Sequence, residues 1–148
     1  MTSRFDKLNA ALRTSDLDAV ILNPGPTLTY LSGLHFHLME RPVVLLFAKD
    51  QVPAIVLPEL ELQKVASLPY KLQVFVYPEK PSEWDNAFRK AVRALGLDGK
   101  RIGVEPRQLR LLEFRHVKAG APEAEYPDAS DVLAGLRLRK DTAEVDAM

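Results

Sequence analysis

Ala19-Val20-Ile21-Leu22 is an apolar run without polar alternation, stopped at once by Asn23-Pro24-Gly25-Pro26. A run of this length between Asp18 and a proline-bracketed turn describes a strand covered on both faces, as in the interior of an α/β sheet. Neither proline carries an amide donor and Gly25 tolerates positive φ, so the strand cannot continue. Residues 27–31 can then wind into a short helix, with Pro26 suited to its first turn and Gly33 to its C-terminal stop. Open α/β sheets place ligands where a strand ends in such a loop and helix, and the same arrangement is also simply how these sheets are built.

The remaining segments extend this pattern. Ser3 and Asp6 have capping-box spacing, and Phe5, Leu8, Ala11 and Leu12 share one helical face. Residues 43–48 and 52–57 are strand-like runs joined by Lys49-Asp50-Gln51, an antiparallel hairpin. A helix is expected over 59–66 behind Pro58, then a strand over 72–77. Ser82 opens the most amphipathic helix of the chain: Trp84, Ala87, Phe88, Ala91, Val92 and Leu95 form one apolar face, closed by Gly96. Residues 102–105 read as a short strand in which Gly103 marks close backbone approach. A helix from Pro106 would turn Leu109, Leu112 and His116 inward. A last short strand is expected over 123–126, and a helix from Pro127-Asp128 carrying Val132, Leu133 and Leu136. Strand–helix units in this order point to a mixed sheet with helices on both faces.

At 148 residues the chain suits one domain. Lys+Arg and Asp+Glu both total 20, which argues against a general nucleic-acid or anionic-membrane binder. The sequence contains no cysteine, so disulfides and thiolate metal sites are excluded and a cytoplasmic location is the expectation. No apolar run approaches the length that spans a bilayer. Asp141 and Glu144 form another capping box, opening a helix that Met148 cuts short after barely two turns. Such a helix is unstable alone, which suggests a chain that continues into a further domain.

The chemistry visible in the chain is sparse. Phosphate-binding, dinucleotide-binding and nucleophile-elbow motifs are missing from the sequence. His35 and His37, if extended, project to one face and could share a metal with Glu40, but a plain loop is the simpler reading. His116 reads as a half-buried helix residue rather than a base. Arg41, fixed by Pro42, is either a solvated charge or an anion contact. No residue of this chain is expected to be catalytic.

Three stretches carry a resemblance. Leu17-Asp18-Ala19 through Asn23-Pro24, followed by Leu28-Thr29-Tyr30-Leu31-Ser32-Gly33, is similar to a signature of the creatinase/prolidase N-terminal domain. Gly99-Lys100-Arg101-Ile102-Gly103-Val104-Glu105 resembles that family's later strand. Leu136-Arg137, Lys140, Glu144-Val145 and Met148 resemble its joint to a catalytic domain. The resemblance implies a three-layer α/β/α sandwich, ribonuclease-H-like, with a mixed sheet of about six strands. It implies a domain over residues 1–136, with 137–148 beginning a linker helix to a catalytic domain outside this chain. That domain would hold two divalent metals, manganese, cobalt or zinc, and hydrolyse Xaa-Pro bonds. The implied partners are a second copy of the parent protein, its own catalytic domain and a peptide substrate. The loop over 34–41 then reaches the partner subunit's pocket in trans, where His35, His37 and Arg41 offer donors and Phe36 and Met39 an apolar wall. The alternative for Phe36 and Met39 is the domain's own core. Competing readings are a peptide- or protein-binding module of a non-peptidase relative, the N-terminal domain of a creatinase-like amidinohydrolase, and a small-molecule binder at the Asn23–Pro26 loop.

Overall fold

The computed structural model describes residues 3–37 and 40–138. Helix α1 (Arg4–Arg13) opens with the expected capping box: Asp6 N–H donates to Ser3 Oγ at 3.0 Å and Ser3 N–H to Asp6 Oδ2 at 3.2 Å. It buries Leu8 and Leu12. Strand β1 (Ala19–Leu22) follows, buried along its whole length. Helix α2 (Pro26–Ser32) has its proline at the start and ends at Gly33, whose φ of 76° is the left-handed cap that glycine adopts without a Cβ penalty.

Strands β2 (Val44–Ala48) and β3 (Ala54–Pro58) form the antiparallel hairpin read from the sequence. Asp50 turns it at a φ of 61°, held by Asn9 Oδ1, which accepts from its N–H at 2.8 Å, and by Arg13. Residues Glu59–Val65 wind as a 3-10 helix rather than the α-helix expected over 59–66. They leave Leu60 and Leu62 exposed, so no buried face holds them in α geometry. Strand β4 (Gln73–Tyr77) leads through a 3-10 turn (Pro81–Glu83) into helix α3 (Trp84–Leu95). The α-helix thus starts after Ser82, and its N-terminus carries no side-chain cap. Its apolar face is buried from Ala87 to Leu95, whereas Trp84 at its start is only partly buried, with its indole N–H donating to Pro78 O at 3.0 Å.

Strand β5 (Ile102–Gly103) is short. A Cβ on Gly103 would lie 2.7 Å from Ala129 Cβ and 2.8 Å from Leu17 Cδ1, so the expected close approach is there. Helix α4 (Leu111–Gly120) starts later than Pro106, because Arg110 is extended (φ −83°, ψ 158°) and interrupts the turns before it. Glu113 and Val117 are buried on its inward face, where His116 is half-buried as expected, and Leu109 and Leu112 are partly buried. Helix α5 (Ser130–Leu138) begins past Pro127-Asp128. The Asp141/Glu144 capping box and Met39 lie outside the described residues.

The sheet has five strands in the order β4-β3-β2-β1-β5, fewer than the sequence suggested. The expected strand over 123–126 reduces to two isolated parallel bridges, Arg101 with Glu125 and Val104 with Asp128, because residues beside β5 pair only at these points. One core holds α3 and α4 against Ala19, Ile21, Val44, Leu46 and Val56. The other holds α1, α2 and α5 against Val20, Leu22, Leu45, Phe47 and Ile55. Adjacent strand residues thus enter opposite cores, which explains the unalternating sequence of β1 and β2 and makes the molecule a three-layer α/β/α sandwich. No described helix is long and apolar enough to cross a membrane.

Candidate functional site

Strands β1, β3, β4 and β5 are mutually parallel and β2 opposes them. Four strands therefore end on the edge where β2 begins. The loops that collect there are the Asn23–Pro26 turn, the 33–43 segment, the Pro78 turn after β4 and residues 105–110 after β5. Open α/β sheets build sites on this kind of edge.

At its β1/β5 end the turn is tied down by polar groups. Asn23, 1% exposed, donates through Nδ2 to Gln108 O. Thr27 Oγ1 donates to Glu105 Oε2 at 2.6 Å. Asn23 Oδ1 has no hydrogen-bond partner among the described residues. A buried acceptor in that condition costs about 1–3 kcal/mol unless a donor or a water reaches it. Gly25 is extended, with φ 169°, so positive φ is not what selects glycine here. A Cβ at that position would lie 2.9 Å from Gln108 Oε1, the end of a flexible side chain that a small shift can move aside.

The 34–41 segment alternates at its start. Leu34 and Phe36 are buried, His35 and His37 exposed. Phe36 is 9% exposed and belongs to the α1/α2/α5 core. Lys64 Nζ sits 4.8 Å from its ring centroid and donates to His35 O at 3.0 Å. The segment is thus anchored by Phe36 and offers both imidazoles to solvent.

Arg41 closes the segment. One of its terminal guanidinium nitrogens donates to Glu79 Oε1 at 2.7 Å, with side-chain exposures of 38% and 67%. Pro42 O accepts from Tyr77 Oη at 2.6 Å, which fastens Arg41 beside the end of β4. Burial raises the Tyr77 pKa, opposed by the charge of Arg41 and reinforced by that of Glu113. Glu113 is 0% exposed and held by Arg110, whose Nε donates to its carboxylate at 2.8 and 3.2 Å. His116 Nδ1 lies 2.5 Å from Asp85 Oδ1 and the ring stacks on Phe88, which makes it a joint between α3 and α4.

Among the described residues no three His, Asp or Glu side chains come together in a way that could hold a metal ion. Sequence reasoning missed the pairing of half-exposed Arg110 with buried Glu113 and the Asn23–Gln108 and Thr27–Glu105 ties. The i,i+3 spacing of Arg110 and Glu113 was a visible signal for the first. The ties join residues 78 and 85 positions apart, and nothing local announces them.

The family model of the Creatinase/Prolidase N-terminal domain matches residues 4–139. A Xaa-Pro dipeptidase of Lactobacillus helveticus is 26% identical over 95% of this chain, which spans 38% of that protein's length. A dipeptidase of Pyrococcus horikoshii OT3, at 23% identity, superposes over 98% of this chain and 39% of its own with a TM-score of 0.83. A proline dipeptidase structure from Streptococcus pneumoniae TIGR4 is 27% identical, with a TM-score of 0.76 over 93% of this chain and 99% of the solved one.

Proposed function

Because the chain belongs to the creatinase/prolidase N-terminal domain family, we propose that it is the non-catalytic N-terminal domain of a Xaa-Pro dipeptidase that lends its 34–41 segment to a substrate pocket. The observation that carries this reading is the correspondence of 95% of the chain with 38% of a Xaa-Pro dipeptidase. The remaining length of such a protein is where the catalytic domain belongs. The two divalent metals of that activity are proposed for the same domain, since the described residues of this chain do not group to hold one.

The part assigned to this chain is binding. A guanidinium recognises a carboxylate through paired, charge-assisted hydrogen bonds, which suits the C-terminal carboxylate of a dipeptide. Arg41 already holds a carboxylate, that of Glu79, in an exposed pair. Exposed ion pairs are worth about 0–1 kcal/mol, so a substrate carboxylate can replace Glu79 at little cost. His35 and His37 add exposed donors on the same segment, and Phe36 fixes its position from the core side. The segment acts in trans, within a dimer of the full-length protein.

Purified chain given Xaa-Pro dipeptides with manganese, cobalt or zinc is expected to show no turnover, and the full-length protein to show it. Metal-dependent hydrolysis that follows the isolated chain through purification contradicts the assignment.

A further inference from the structure

Lys+Arg and Asp+Glu both total 20, but the charges are not spread evenly over the fold. Helices α3 and α4 pack side by side in parallel: Asp85 meets His116, and one turn further on a Cβ on Gly120 would lie 3.4 Å from Arg89 Cα. Phe88, Ala91, Val92 and Leu95 of α3 and Val117 of α4 point into the core, so the opposite faces of both helices are turned to solvent. Those faces carry Arg89, Lys90, Arg93, Arg115 and Lys118, all exposed. The acids of the two helices are already used: Glu113 is buried against Arg110, and Asp85 is engaged by His116. None of the five cations holds a carboxylate among the described residues, whereas Arg13, Arg41, Lys64 and Arg101 elsewhere do. Arg89 donates to Asn86 Oδ1 at 3.5 Å, and Lys118 lies over the Phe114 and Tyr126 rings. Like charges one turn apart, as at Arg89 and Arg93, repel, and a polyanion laid across the face relieves that repulsion.

We infer that the outer face of α3 and α4 is a docking surface for the phosphate backbone of a nucleic-acid duplex, bound without regard to sequence. Neutralisation of phosphates by Lys and Arg drives such binding by releasing counterions, and it needs no apolar contact. Three of the five cations are arginines, whose guanidinium forks match pairs of phosphate oxygens. The rest of the face argues against other anionic partners. A protein partner buries an apolar or aromatic centre, and a bilayer takes up a row of apolar side chains. Leu111 is the one large apolar side chain exposed on either helix. A single strand is held by bases stacked on exposed aromatics, whereas Phe114 and Tyr126 are partly buried and lie under Lys118. The balanced total weighs against attraction by the molecule as a whole, not against a local face. The inference is independent of the dipeptidase reading, so either can fail without the other.

Fluorescence anisotropy of the purified chain with a labelled mixed-sequence DNA duplex tests this. Binding should fall in the micromolar range at about 50 mM salt and weaken about a hundredfold by about 200 mM, as when roughly four phosphates are neutralised. Arg93→Ala/Arg115→Ala removes two exposed cations that hold no carboxylate among the described residues. It should weaken binding at least about tenfold and lower the logarithmic salt slope by about two, with the circular dichroism spectrum native. Arg13→Ala/Lys71→Ala takes the same charge from α1 and from ahead of β4, and should leave both quantities nearly unchanged. If Arg93→Ala/Arg115→Ala does not fold, Lys90→Ala/Lys118→Ala replaces it with the same expectation. No binding at the lower salt, binding indifferent to salt, or equal losses in the two regions overturns the inference. So does an affinity as high for a single strand or for phosphatidylserine vesicles.

Discussion

Asp18 shows how a single side chain ties distant parts of this sequence together. Its Oδ2 accepts from Arg101 N–H at 2.8 Å, joining the start of β1 to the start of β5, and Lys49 lies 3.6 Å from its other oxygen. The Arg101 amide first, and the charges of Lys49 and Lys100 after it, hold the Asp18 carboxyl below the usual aspartate range despite some desolvation. A depressed folded pKa contributes stability that is present above the unfolded value and lost as pH falls through the folded one. Asp18→Asn should therefore lower the unfolding midpoint near neutral pH, with the gap to wild type narrowing below about pH 4. Parallel denaturation curves at several pH values check this, and a gap that stays constant into acid contradicts it. At this scale the sequence was read unevenly. Gly33, Gly96 and Gly103 stand where their neighbours predicted a left-handed cap or a close approach. Gly25 is extended and needs no positive φ, and its neighbour Gln108 comes from far along the chain.

Elements were legible in proportion to how much of their pattern is enforced by burial. Helix α3 buries five residues of its predicted face, and the hairpin strands are buried along their whole lengths, so a wrong period there would expose much of a core. The 3-10 helix at Glu59–Val65 buries none of its residues, and its helical propensity alone did not determine its geometry. Helix α4 starts later than Pro106 because Arg110 is extended, which leaves no composition signal, and Glu113 can be buried because Arg110 pairs with it. Phe88, 0% exposed and stacked on His116 at 4.9 Å, is the residue on which α3 depends most. Phe88→Ala should cost about 3–5 kcal/mol in denaturant unfolding. Trp84→Ala should cost less, since the indole is only partly buried above Tyr77. Equal losses at the two positions contradict this account of how α3 is held.

For the whole molecule, the fold follows from a few unalternating strands that require helices on both faces, and the sequence announced that much. The edge on which β1, β3, β4 and β5 all end is different in kind. It assembles Asn23, Thr27, Arg41, Glu79 and Glu105 from four loops, and only the register of the strands brings them to one side. Composition singled out the 34–41 segment and left open whether Phe36 lines a pocket or the core; the core reading holds, with His35 and His37 outside. The role proposed for this edge is to complete a neighbour's pocket, and Arg41 is its sharpest element. Mixed dimers of the full-length protein test that most directly, by combining an Arg41→Ala subunit with one whose metal ligands are disabled. A segment that works in trans sets the intact catalytic site against the intact loop of its partner, so kcat/KM per intact site should stay near the wild-type value, while the Arg41→Ala homodimer falls at least about tenfold with metal content unchanged. Activity per intact site in that mixed dimer as low as in the Arg41→Ala homodimer contradicts it.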